Sequence, residues 1–149
     1  MAFTNPDQTE IARVLRESHT IAVVGLSDNP QRESYQVAAT LLDYGYRIIP
    51  VNPRLAVWEG RRAVPDLDHL SEVLGPGEQV DVVVVFRQPQ YVAEVVDECI
   101  RLQLPAVWLQ LGVVDEAAAQ RARDEGLFVV MDRCMKIERM RLDAERDDG

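Results

Sequence analysis

The residues best suited to chemistry follow the apolar run Ile21-Ala22-Val23-Val24, where Gly25 opens the polar stretch Leu26-Ser27-Asp28-Asn29-Pro30-Gln31-Arg32-Glu33-Ser34. A strand that turns at glycine into a helix N-terminus makes an anion site from backbone N–H groups and the helix dipole. Gly25 permits close backbone approach, and Ser27 offers a hydroxyl beside the amides of Asp28 and Asn29. Arg32 carries a guanidinium suited to phosphate, and Ser34 is the expected N-cap of the helix beneath. The loop reads as a nucleotide-phosphate pocket. Taken alone, it is equally compatible with a plain strand-to-helix turn and a solvated arginine.

A second group lies about 20 residues on, where dinucleotide dehydrogenases place the Asp or Glu that holds the ribose hydroxyls. Here the second apolar run ends Val51-Asn52-Pro53-Arg54, without a carboxylate. The Asn52 amide is suited to a base or ribose and does not demand a free diol, and no charge opposes a 3′-phosphate. Pro53 fixes an extended exit; an Asn-Pro turn with no ligand is the competing reading. Arg87 ends the apolar run Val80–Phe86, so its charge must reach solvent or an anion. Cys134 is the one thiol placed for the same region, with a small buried hydrophobe as its alternative. Arg61 and Arg62 read as an electropositive rim or as solvated loop, and Trp58 as a lid, a dimer contact or simple packing. His19 and His69, the only histidines, complete neither a nucleophile–base–acid set nor a metal cluster.

The elements that must position these groups alternate along the chain. Thr4 and Asn5 before Pro6 predict an N-terminal helix over about 6–17. A strand at about 20–25, a helix starting near Ser34 and closed by Gly45, and a strand at about 46–51 follow. A short strand is expected at Arg62–Val64, then a modest helix through Leu67, Leu70 and Leu74. Val80–Phe86 suits a central parallel strand; beyond it come a helix from Pro89, a strand near 106–110 containing Trp108, a helix capped by Asp115, and a last strand at 127–131. The tail at about 141–149 is charge-dense and expected to fray. This alternation predicts an α/β, Rossmann-like, doubly wound, mainly parallel sheet in the order 3-2-1-4-5-6 with a short strand 3. The crevice beyond its strand ends gathers the loops just named, together with Gln110 and Gly112 after strand five.

With 149 residues, 47% of them hydrophobic, the chain suits a single domain over 1–149. No apolar run approaches a membrane span and the N-terminus lacks the pattern of a signal peptide, so a cytoplasmic protein is expected. Cys99 and Cys134 are then expected to remain unbridged. A net charge of −9 argues against nucleic acid as a partner. A small phosphate ligand needs only local cations, and 15 of the 16 basic residues are arginine, the planar donor that phosphate favours.

Five ordered segments carry a family resemblance: Val24 to Ser34, Tyr46 to Pro53, Val85-Phe86-Arg87-Gln88-Pro89, Trp108-Leu109-Gln110-Leu111-Gly112, and Val130-Met131-Asp132-Arg133-Cys134. Together, over about residues 8 to 140, they resemble the stand-alone CoA-binding proteins, which are similar to the N-terminal nucleotide domain of the succinyl-CoA synthetase α subunit. The resemblance implies that the first loop and Arg32 face the CoA phosphates and that Asn52 and Pro53 border the nucleotide. It also implies that Phe86 and Arg87 wall the adenosine side, and that Gln110 to Gly112 line the opening toward the pantetheine. Nothing here corresponds to the synthetase's second domain with its phosphorylated histidine, so ligase activity is not implied. The expectation is a binder of coenzyme A or an acyl-CoA without catalytic machinery of its own, Cys134 sitting near the thiol end. An NAD(P)-dependent enzyme and a nucleotide-sensing regulatory or scaffold protein are the alternatives, with a second copy of the chain as a candidate partner.

Overall fold

The computed structural model describes residues 3–148, with side chains described through residue 144. Five parallel strands form the central sheet: β1 (Thr20–Val24), β2 (Arg47–Val51), β5 (Val82–Val85), β6 (Ala106–Leu109) and β7 (Phe128–Met131), in the order β2-β1-β5-β6-β7. Their residues alternate between two buried layers, as a sheet covered on both faces requires. Ala22, Val24, Val83, Val85 and Leu109 point into a core closed by α3 (Val92–Arg101) and α4 (Glu116–Asp124). Ile21, Val23, Val82, Val84 and Trp108 point into a second core under α1 (Gln8–Glu17), α2 (Glu33–Asp43) and α5 (Met135–Asp148). The fold is therefore α/β, Rossmann-like and doubly wound, as the alternation predicts.

Strand three is the main departure. Val57–Trp58 (β3) and Arg61–Arg62 (β4) pair with each other, antiparallel, and only Val64 reaches the main sheet, through one parallel bridge to Val51. The cause is local. Glu59 and Gly60 both take positive φ, 48° and 76°, which makes a two-residue hairpin turn, and Pro65 has no N–H with which to continue a ladder past Val64. The expected order 3-2-1-4-5-6 thus shortens to its last five members. Leu67, Leu70 and their neighbours form a 3-10 segment, Leu67–Glu72, in place of a longer helix.

Two helix starts also move. α1 is capped by Asp7, whose carboxylate accepts from the Glu10 N–H at 2.9 Å, while Asn5 reaches away to pair with both the N–H and the C=O of Met131 on the edge strand. α2 begins at Glu33 with Arg32 as N-cap, two residues before the cap expected at Ser34. In the tail expected to fray, Leu142 is packed in the second core, while the side chains of 145–149 lie outside the described residues. At the other end of the sheet Asp81 accepts from the N–H groups of His19 and Thr20, so β1 and β5 start in register and also end together, at the edge where the loops gather.

Candidate functional site: the crevice at the ends of β1, β2 and β5

Gly25 leaves β1 with φ of 84°, and its N–H donates to the Val51 carbonyl at 2.9 Å. A Cβ at this position would lie 2.1 Å from the Phe86 carbonyl oxygen, so the loops after β1 and β5 touch backbone to backbone, and only glycine allows it. Beyond it the loop is held by its own polar groups. Ser34 Oγ accepts from Ser27 N–H at 3.1 Å, Ser27 Oγ from Asn29 N–H at 3.0 Å, and Asn29 Oδ1 from Gln31 N–H at 3.0 Å. Ser34 is therefore a buried latch inside the first turn of α2, which explains why it does not cap.

The same bonds change which amides remain for a ligand. The N–H groups of Gly25, Ser27 and Asn29 are engaged within the protein. At α2 no side chain caps the first turn, whereas Asp7 caps α1 and Asp115 accepts from Ala118 N–H in α4. The open donors at the crevice thus include those at the start of α2, at Glu33 and Ser34, beside those of Leu26 and Asp28 in the loop.

Around that start lies a cavity of about 470 Å3, bordered by Gly25, Ser27, Asp28, Arg32, Ser34 and Asn52, with Phe86 closing one side. A neighbouring cavity of about 550 Å3 shares Gly25, Asn52 and Phe86 and adds Pro53 and Arg87. The Asn52 amide is committed to architecture: Nδ2 donates to the Leu26 carbonyl at 2.9 Å and Oδ1 accepts from Arg54 N–H at 2.9 Å. It ties the exits of β1 and β2 together. Arg87 stacks on the Tyr91 ring, 4.6 Å from its centroid, and forms no ion pair among the described residues.

Arg54 is the functional candidate that the sequence reading left unassigned. It lines both cavities, and its guanidinium makes no hydrogen bond or ion pair among the described residues. The Asn52 Oδ1 bond to Arg54 N–H is an Asx turn, which holds the Arg54 backbone at the crevice. Glu33 and Leu55 line the first cavity as well.

Four of the expected site residues line neither cavity. Asn29 serves the loop. Gln110 is buried: its Oε1 accepts from Met135 N–H at 2.9 Å, so it caps α5, and its Nε2 finds no partner among the described residues. Gly112 N–H donates to Asp132 Oδ1 at 2.8 Å, joining the loops after β6 and β7. Cys134 is 5% exposed and packs in the second core with Met135, which is the small buried hydrophobe of the alternative reading. It is free, as is Cys99, whose thiol burial pushes up to about 12. Trp58 is also packed, edge-on to Tyr35 with centroids 5.4 Å apart, and Arg62 pairs with Glu72 at 2.6 Å, away from both cavities. Among the described residues no group of His, Cys, Asp and Glu is arranged to hold a metal.

Comparison with known proteins follows the same lines. A family model described as CoA binding domain matches residues 19–140. The uncharacterized protein YneT of Bacillus subtilis (strain 168) is 41% identical over 133 residues, covering 89% of this chain and 94% of that one. A hypothetical protein from Pyrococcus horikoshii OT3 superposes with a TM-score of 0.81 at 32% identity, over 95% of this chain and 99% of that one. Part of a dinucleotide-forming acetyl-coenzyme A synthetase 1 from Ca. Korarchaeum cryptofilum, in complex with phosphate and ADP, superposes with a TM-score of 0.64 at 25% identity, over 82% of this chain and 27% of that one. With its glycine-gated crevice at the switch point of the sheet, the chain belongs to the CoA binding domain family.

Proposed function

We propose that this protein binds coenzyme A or an acyl-CoA in the crevice between β1, β2 and β5, and that it does so as a binder without catalysis of its own. One observation carries the reading: α2 opens without a side-chain cap, and it opens onto a cavity that Arg32 and Arg54 line. Free N–H groups and a positive helix pole favour a diphosphate there. The residues present fit such a group. Gly25 keeps the floor flat, Arg32 and Arg54 supply forked donors, and Asn52 holds the two loops at fixed separation.

Arg54 and Arg87 border the second cavity, which gives a 3′-phosphate two guanidinium groups and no opposing carboxylate from the β2 exit. That arrangement supports CoA over a dinucleotide carrying a free ribose diol. The thiol end is drawn past Phe86 toward solvent, and the chemistry that a thioester supplies would be carried out elsewhere. Two buried cysteines and two exposed-edge histidines offer this crevice no nucleophile.

A thermal-melt panel of CoA, dephospho-CoA, acetyl-CoA, ATP and NAD tests the reading. CoA at about 100 times its Kd should stabilise the protein by about 2.7 kcal/mol. Dephospho-CoA should bind more weakly, and Arg54→Ala should erase most of the difference between the two. Stabilisation by NAD(H) or NADP(H) without any from CoA would replace this function with the dehydrogenase-like alternative.

A further inference from the structure

The β3–β4 hairpin is fastened at its root and at its tip, and Arg54 and Leu55 lie between the two fastenings. At the root the Asn52 carbonyl accepts from Leu55 N–H at 3.2 Å, and Asn52 Oδ1 holds Arg54 N–H. At the tip Glu59 reaches the first turn of α2, where its carboxylate accepts from the Tyr35 hydroxyl. The Tyr35 ring also meets Trp58 edge-on, with centroids 5.4 Å apart. Leu55 and Trp58 form the inner side of the hairpin, packed in the second core, while Val57 faces solvent. Arg54 and Leu55 therefore line the cavity of about 470 Å3 from a segment anchored both on β2 and on α2.

Glu59 is an unexpected residue for that tip. Its φ of 48° lies in the left-handed region that glycine and asparagine tolerate better, and with Gly60 next in the chain an Asn-Gly pair is the favoured choice for the turn. Asparagine, one methylene shorter, does not extend as far toward α2. A residue held in a disfavoured conformation, with its side chain bonded to a neighbouring helix, points to a task for that side chain. The Tyr35 hydroxyl is held above its ordinary pKa, first by its hydrogen bond to Glu59, then by burial and by the Glu59 charge.

We propose that Tyr35 and Glu59 form a clamp that positions Arg54 for the phosphates of the bound ligand. The inference rests on the CoA reading above and names the residues that set the geometry of the same site. Neither side chain lines a crevice cavity except through the hairpin, so both are positioning residues. A guanidinium on a free loop must be ordered at the moment of binding, whereas one on a clamped strap is ordered beforehand, so the clamp contributes affinity without a ligand contact of its own. It also ties the hairpin to the helix whose start receives the diphosphate, which keeps the two sources of positive potential at a fixed separation.

Calorimetric titration with CoA, paired with urea unfolding, tests the clamp on the wild type, Tyr35→Phe, Glu59→Asn, Glu59→Gln and the double variant Tyr35→Phe/Glu59→Asn. Tyr35→Phe keeps the ring on Trp58 and loses the hydroxyl alone, and Glu59→Asn gives the turn its favoured pair while shortening the side chain. Each should weaken CoA binding by about fivefold, the effect of one lost hydrogen bond and of a looser strap. Glu59→Asn should do so with stability unchanged or raised, which separates positioning from a general contribution to folding. Both single changes remove the same bond, so the double variant should lose little more than either alone. Glu59→Gln keeps an acceptor of the same length and should stay within about twofold of the wild type. CoA affinity that neither single variant alters, losses that add in the double variant, or a loss in Glu59→Asn matched by lost stability overturns the clamp and leaves the CoA reading standing. Absence of wild-type CoA binding removes both readings together.

Discussion

At Gly25 the fold and the site make the same demand. Its φ of 84° disfavours any side chain, and the Phe86 carbonyl 2.1 Å from a built Cβ blocks the space that a side chain would need. Gly25→Ala must push the β5 exit away or rotate the loop, at about 3 kcal/mol in stability from backbone strain and overpacking together. Urea unfolding measures it, and a loss under about 1 kcal/mol would mean that the loops separate easily and that the contact is not what sets the crevice. The sequence identified Gly25 because glycine after an apolar strand is a strong local signal. It placed the cap at Ser34 and did not show the ties of Asn52, because side-chain partners across a loop leave no trace in spacing: Ser34 Oγ accepts from Ser27 N–H, and the Asn52 amide bonds to Leu26 and Arg54.

Among the elements, α2 is the one whose stability and function pull in opposite directions. Its N-cap is Arg32, which satisfies no amide of the first turn, although Asp or Ser there is the stabilising choice. Arg32→Asp should therefore stabilise the protein by about 1 kcal/mol in chemical denaturation, while lowering CoA affinity by about tenfold or more, because the new carboxylate takes the amides and repels the diphosphate. Stability and affinity rising together would show that the ligand's charge lies elsewhere. Strong periodicity made most elements legible: the Val82–Val85 run and the apolar stripe of α3 place themselves. The hairpin of β3 and β4 was not legible, because a turn of Glu59 and Gly60 lacks the usual Asn-Gly or Asp-Gly pair, and the one-residue bridge at Val64 is too short to have a period. Likewise the crevice loops after β1, β2 and β5 could be predicted as neighbours from the winding rule. The rule gave no means of telling that Gln110 and Cys134, at the same edge, turn into the interior under α5.

Taken as one charged body, the molecule presents an anionic ligand with an unfavourable approach and a favourable destination. The chain carries −9, and Asp28, Glu33, Asp66, Glu94 and Glu98 stand among the walls of the crevice and of a smaller cavity beside it, yet Arg32, Arg54 and Arg87 lie where the phosphates are proposed to settle. These two fields act over different ranges. Repulsion from the whole surface is felt across about 30 Å at 0.01 M salt and shrinks to about 10 Å at 0.1 M, while a guanidinium in contact with phosphate is screened far less. Raising salt from about 0.01 to 0.15 M should therefore speed CoA association, by roughly two- to threefold, at the same time as dissociation quickens and affinity falls. Stopped-flow mixing that follows ligand-induced change in Trp58 or Trp108 fluorescence separates the two rates. A steep fall of the association rate with salt is the behaviour of a cationic funnel, and finding it here would mean that the arginines govern the approach as well as the bound state.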